Sequence, residues 1–167
     1  MLLRLVSSLI HLHVDYCNCL LAGHLIYSLD HLQVVQNAAA RLVCGLCKFD
    51  QVTPALSDEL HWLLMQQRIT CKLCCLTFKG LHSEVQPYIT EHCKPVLTID
   101  SCCRLHSASR SQLIIPRAQT EFVKDFMGSC LPGPSAWNNL PTNVILCTTT
   151  LFFHASLKTF LFHVACY

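Results

Sequence analysis

With 167 residues, 52% of them hydrophobic and 13% charged, the chain is long enough to bury one core and too apolar for a disordered segment. Twelve Lys and Arg against ten Asp and Glu leave a net charge of +2, too weak to predict nucleic-acid binding. Charge is also unevenly spread: residues 1–29 carry only Arg4 and Asp15, and residues 130–167 only Lys158, so both ends are expected to pack against something larger.

In chain order, residues 2–22 read as a first helix ending near Gly23. Its start, MLLRLVSSLIHLHV, has the apolarity of a signal peptide, but His11 and His13 interrupt the run and no small-residue cleavage site follows. Ser28 caps a second helix, with Asp30 in its first turn and Leu32, Val35, Ala39, Val43 and Leu46 as its apolar stripe; Gly45 marks its end. Thr53-Pro54 opens a short helix to about Leu60.

A central helix follows over 61–80. Trp62, Met65, Ile69, Leu73, Leu76 and Gly80 recur at steps of three and four, and Cys71, Cys74, Cys75 and Phe78 fall on the opposite face. A helix apolar on both sides is expected to be buried. Gln66, Gln67, Arg68, Lys72 and Lys79 are left to line polar seams.

A short helical piece is expected from Tyr88 to Cys93. Lys94 to Arg110 then shifts to Ser, Cys and Arg without period, as a linker does. Gln112 to Ile115 reads as a strand and Phe122 to Cys130 as its hairpin partner. Pro132-Gly133-Pro134 and Asn139-Leu140-Pro141 are breaks. Thr150 opens a last helix with Phe153, Leu157, Phe160, Leu161 and Val164 inward. The expected fold is mainly α, a helical bundle around the 61–80 helix with a small β-hairpin at 112–130. The expected regions are a helical one over 1–93, a linker over 94–111 and an extension over 112–167.

The residues carry little chemistry. G-x-x-x-x-G-K, G-x-G-x-x-G, H-E-x-x-H and G-x-S-x-G are all missing from the sequence. Asp58-Glu59 is the one acidic pair, and neighbours in a helix point apart. No catalytic residue is assigned and no cofactor is expected. The thirteen cysteines are odd in number and several sit at helical spacing among Leu and Val, as small buried hydrophobes of a reduced, intracellular chain in cytoplasm or nucleus.

One alternative uses Cys44-x-x-Cys47 and Cys71-x-x-Cys74 as two knuckles holding zinc through four thiolates, in a small cysteine-rich metal-binding or protein-interaction module. Against it, the spacer is long, contains a helix start, and places Cys71 and Cys74 inside a helical period. Arg104, Arg110, Arg117 and Lys124 form the only basic stretch, diluted by Asp100, Glu121 and Asp125. Trp137 reads either as a base-stacking platform or as a core anchor. No stretch reaches about eighteen uncharged apolar residues, so no membrane partner is expected.

Several strings, in order, resemble the C-terminal end of LINE-type (non-LTR) retrotransposon reverse transcriptases. They are Asp15-Tyr16-Cys17-Asn18 with Leu20-Leu21-Ala22-Gly23; Leu32-Gln33-Val34-Val35-Gln36-Asn37-Ala38-Ala39-Ala40-Arg41-Leu42; and Val52-Thr53-Pro54. Leu60-His61-Trp62-Leu63, Gln66-Gln67-Arg68-Ile69 and Leu76-Thr77-Phe78-Lys79 with Leu81-His82 follow. Ile115-Pro116-Arg117 and Trp137-Asn138-Asn139-Leu140-Pro141 complete a series that spans nearly the whole chain.

The resemblance implies the region after the polymerase palm, the thumb and C-terminal extension, which help hold template and primer. It also implies a chain that is inert alone, because polymerisation needs palm carboxylates to position two metals. Lys72, Lys79, Arg104, Arg110 and Arg117 are then the expected phosphate contacts. A polymerase body, or another protein, is the expected partner of any exposed apolar surface. The sequence departs from the family pattern at Leu64, where proline is usual, at Ala136, where a larger residue is usual, and at Cys19 and Cys74, where Ser or Leu is usual. These departures read as drift.

Overall fold

A computed structural model describes residues 5–16, 18–22, 26–98, 111–115 and 132–166. The chain is mainly α. A π-helical turn, Ser7–His11, runs into α1 (Leu12–Asp15), and a 3-10 turn, Asn18–Leu21, follows. Then come α2 (Ile26–Cys44), a π-helical turn Ala55–Glu59, α3 (Met65–Leu81), α4 (Pro87–His92) and a 3-10 turn Val96–Thr98. The last three helices are α5 (Pro132–Asn138), α6 (Thr142–Ile145) and α7 (Thr150–Cys166).

Two compact units result: Met1–Ile69 with Lys158–Tyr167, and Thr70–Leu157. Most of the linker expected at 94–111, residues 99–110, lies outside the described residues. Helix α3 supplies 65–69 to the first unit and 70–81 to the second.

The first unit is built on Val6, Ala39, Ala40, Val52, Leu56 and Trp62, with Ile10, Val43, Leu60 and Leu64 packed around them. The small run of α2 allows this close approach, and Ala40 has no exposed surface. The expected stripe needs one correction. Val35 is 47% exposed, and the residue turned inward beside it is Gln36, at 1%.

Gln36 explains how an amide can take a core place. Its Nε2 donates to the Leu63 carbonyl at 2.8 Å. One turn earlier Gln33 accepts from the Met65 N–H at 2.9 Å, satisfying one of the orphan donors at the start of α3. Asp15 receives Arg68 through both oxygens, with Nε to Oδ1 at 2.9 Å. Three polar side chains thus fix the entry of α3.

Helix α3 starts four residues later than its periodicity predicts. His61 adopts φ 51°, a left-handed position that closes the Ala55–Glu59 turn, while the Trp62 N–H reaches back to the Leu56 carbonyl at 2.8 Å. Trp62 and Leu63 are buried all the same, so their apolar signal was real although their backbone is not helical.

Gly45 ends α2 as expected: at φ 67° it lets the Leu46 N–H return to the Arg41 carbonyl at 3.0 Å, the bonding of a Schellman cap. A Cβ there would touch nothing within 4 Å, so Gly45→Ala tests backbone strain alone. It should lower the urea-derived stability by about 1 kcal/mol.

In the second unit Phe78, Trp137 and Phe153 form one aromatic cluster. Phe78 stacks on Phe153 at 4.3 Å between centroids, and Trp137 on Phe153 at 5.6 Å. Met65, Ile69, Cys71, Cys74, Thr77 and Phe78 are the buried side chains of α3, with Leu73 and Leu76 only partly covered.

Of the strand expected at 112–115, Leu113 forms an isolated β-bridge, and Ser111 before it turns at φ 54°. The expected hairpin partner, 122–130, lies outside the described residues. Leu113 bridges Pro95, with the Val96 and Ile114 N–H groups donating at 2.9 Å to the Gln112 and Lys94 carbonyls. On its other side Asn138 both accepts from the Leu113 N–H at 2.8 Å and donates to the Leu113 carbonyl at 2.9 Å. Among the described residues this bridge is the only β pairing. In α7 Phe153, Leu157 and Leu161 are buried, whereas Val164 is 54% exposed.

Candidate functional site

Of the five expected phosphate contacts, Lys72 and Lys79 lie on α3, two turns apart and about 10 Å along the axis. Both are half-buried. Arg104, Arg110 and Arg117 lie outside the described residues. Trp137 is 2% exposed and donates Nε1–H to the Ser111 carbonyl at 3.1 Å, which makes it a core anchor rather than a stacking platform.

A cleft of about 310 Å³ opens in the first unit. Its polar lining is mostly amide: Gln33, Asn37, Gln66 and Gln67, with Asp30 as the only carboxylate. Gln67 holds its Oε1 buried without a protein partner. Such a lining offers paired donors and acceptors to a polar ligand. With a single acid it cannot hold two metal ions in the manner of a polymerase.

The proposed zinc cysteines are divided. Cys44, in α2, and Cys47 belong to the first unit, and Cys71 and Cys74 to the second. Burial, and then the neighbouring Glu59, push the Cys44 thiol up. Cys74 has no exposed surface, and burial pushes it up to about 12, so it remains a neutral thiol. Cys47 is exposed. Under native conditions iodoacetamide should therefore modify Cys47 readily and spare Cys74, as peptide mass mapping would show.

The structure gathers a different set. Cys71 and Cys75, one turn apart on α3, and His154, on α7, bring their ligand atoms within 4.8 Å of one another. No other group of three such residues comes this close among the described residues. A hydrogen bond from Cys71, aided by Lys79, lowers the Cys75 thiol against the opposing effects of burial and of Cys74. The spacing of Cys71 and Cys75 was legible in sequence; nothing linked them to a histidine 79 positions beyond Cys75.

No helix among the described residues is long and apolar enough to cross a membrane. Comparison with protein-family models, with curated proteins and with solved structures finds no match.

Proposed function

We infer that this chain is the post-palm region of a LINE-type retrotransposon reverse transcriptase, a non-catalytic helical module whose role is contact with template and primer. What carries the reading is the ordered series of matching strings, from Asp15 to Pro141. Its support from packing is that residues of different strings bind each other. Asp15 of the first holds Arg68 of the fifth, and Gln36 of the second holds the backbone of Leu63 in the fourth. The last string supplies Trp137 and Asn138, which clamp 111–113. Four of the strings are thus paired by contacts within the first unit, and the last holds a neighbouring segment within the second.

The module supplies positive charge and an amide-lined cleft, not the carboxylates that polymerisation requires. A polymerase body, or another protein, would cover the exposed apolar side chains such as Leu146, Leu151 and Phe152.

The test is titration of a primer–template duplex at low and moderate salt. Binding should be present at low salt, weaken with a shallow slope set by a few phosphate contacts, and fall further in Lys72→Ala/Lys79→Ala. No binding at low salt overturns the reading.

A further inference from the structure

We propose that Cys71, Cys75 and His154 form a three-ligand site for zinc(II), open to solvent at its fourth position. This rests on the second unit alone and is independent of the retrotransposon reading.

The backbone fixes two of the ligands. Residues at i and i+4 of a helix lie on one face, so α3 presents both sulfurs side by side, and α7 brings an imidazole to them. In a tetrahedral site with Zn–S of about 2.3 Å and Zn–N of about 2.0 Å, ligand atoms stand roughly 3.5–3.8 Å apart. The observed limit of 4.8 Å is within about 1 Å of that, a gap that side-chain rotation closes without moving either helix.

Burial is graded across the set. Cys71 is buried, Cys75 half-buried and His154 exposed. The ion would therefore sit with its sulfur side against the protein and its imidazole side toward water. That arrangement leaves a coordination position for water or an incoming ligand, as open three-ligand zinc sites do. Thiolate and imidazole donors suit zinc over magnesium or calcium. The thiols are not joined in a disulfide, so both sulfurs are available to give up their protons to a metal. Cys74, though adjacent in sequence, is sealed in the core and takes no part.

Thirteen cysteines in one chain make unspecific binding the competing explanation, and the test is designed around it. The full chain is reduced with a phosphine, stripped of metal, and titrated with zinc against a chromophoric chelator and with cobalt(II) by visible absorption. One ion per chain with a thiolate-to-cobalt charge-transfer band is expected. His154→Ala and Cys75→Ser should each weaken zinc by at least about tenfold. Cys47→Ser and Cys147→Ser should leave affinity unchanged.

His154 is exposed, so His154→Ala should retain the apo protein's circular dichroism and melting temperature while losing the zinc-induced rise in melting temperature. No zinc uptake, uptake indifferent to His154→Ala, or uptake abolished by Cys47→Ser would each overturn the site.

Discussion

Replacing Phe153 by alanine should lower stability by about 3–5 kcal/mol. Phe153 has no exposed surface and packs against two other rings, Phe78 at 4.3 Å and Trp137 at 5.6 Å between centroids. Truncation removes the transfer free energy of the ring, opens a cavity that flanking helices fill only in part, and forfeits two stacked contacts worth about 0.5–1.5 kcal/mol each. Phe152, the preceding residue on the same helix, is 72% exposed. Phe152→Ala should change stability by no more than about 0.5 kcal/mol. Urea unfolding followed by near-ultraviolet circular dichroism in a Trp62→Phe background, where Trp137 is the one tryptophan, measures both. Equal losses from the two variants would mean that α7 does not present the face described.

The pair also shows what periodicity could and could not give. Phe153, Leu157 and Leu161 follow helical spacing and are all inward, and Thr150 does open the helix. Val164 continues the same spacing but is exposed, because apolar content near the end of α7 is high on every side and periodicity cannot choose a face there. In α2 the same blindness works in reverse. A count of apolar positions ranks Val35 above Gln36, yet the glutamine is inside because a partner carbonyl, 27 residues away, awaits it. Central helix and last helix were legible as elements; the start of α3 was not, because His61 in a left-handed conformation breaks a pattern that Trp62 and Leu63 still carry by being buried.

The candidate site was less legible than the fold. Sequence spacing pairs cysteines as C-x-x-C, the geometry of a knuckle in a loop. On a helix, i and i+3 diverge in depth here: Cys71 lies at 8% exposure and Cys74 at zero. The i+4 partner, Cys75, brings its sulfur to that of Cys71, and only the tertiary fold supplies His154. A histidine with no local motif carries no signal in one sequence. The basic residues pose the opposite problem, since three of the five have spacing and composition as their sole argument and lie beyond the described residues.

Gln36→Glu is expected to convert a pH-insensitive lock into a pH-sensitive one. The native amide is 1% exposed and donates to the Leu63 carbonyl, while its Oε1 is buried with no protein partner. A neutral carboxyl is nearly isosteric and can still donate one hydrogen bond, so at acid pH the variant should fold almost as well as the parent. In the unfolded chain glutamate titrates near about 4.3. Burial beside a carbonyl oxygen disfavours the charged form and raises the folded value. A raised folded value means that the folded state holds the proton more tightly than the unfolded state. The penalty relative to the parent is therefore absent below about pH 4, grows as pH rises between the unfolded and folded values, and levels off at about 3–4 kcal/mol above neutrality. Gln36→Leu separates charge from packing: it removes the orphan oxygen, strands the Leu63 carbonyl, and should cost about 1–2 kcal/mol at every pH. Urea midpoints at several pH values, each taken as the difference from the parent, provide the measurement. A Gln36→Glu penalty that is flat with pH would show that residue 36 is solvated, and that Gln36 does not hold the entry of α3 from inside the core.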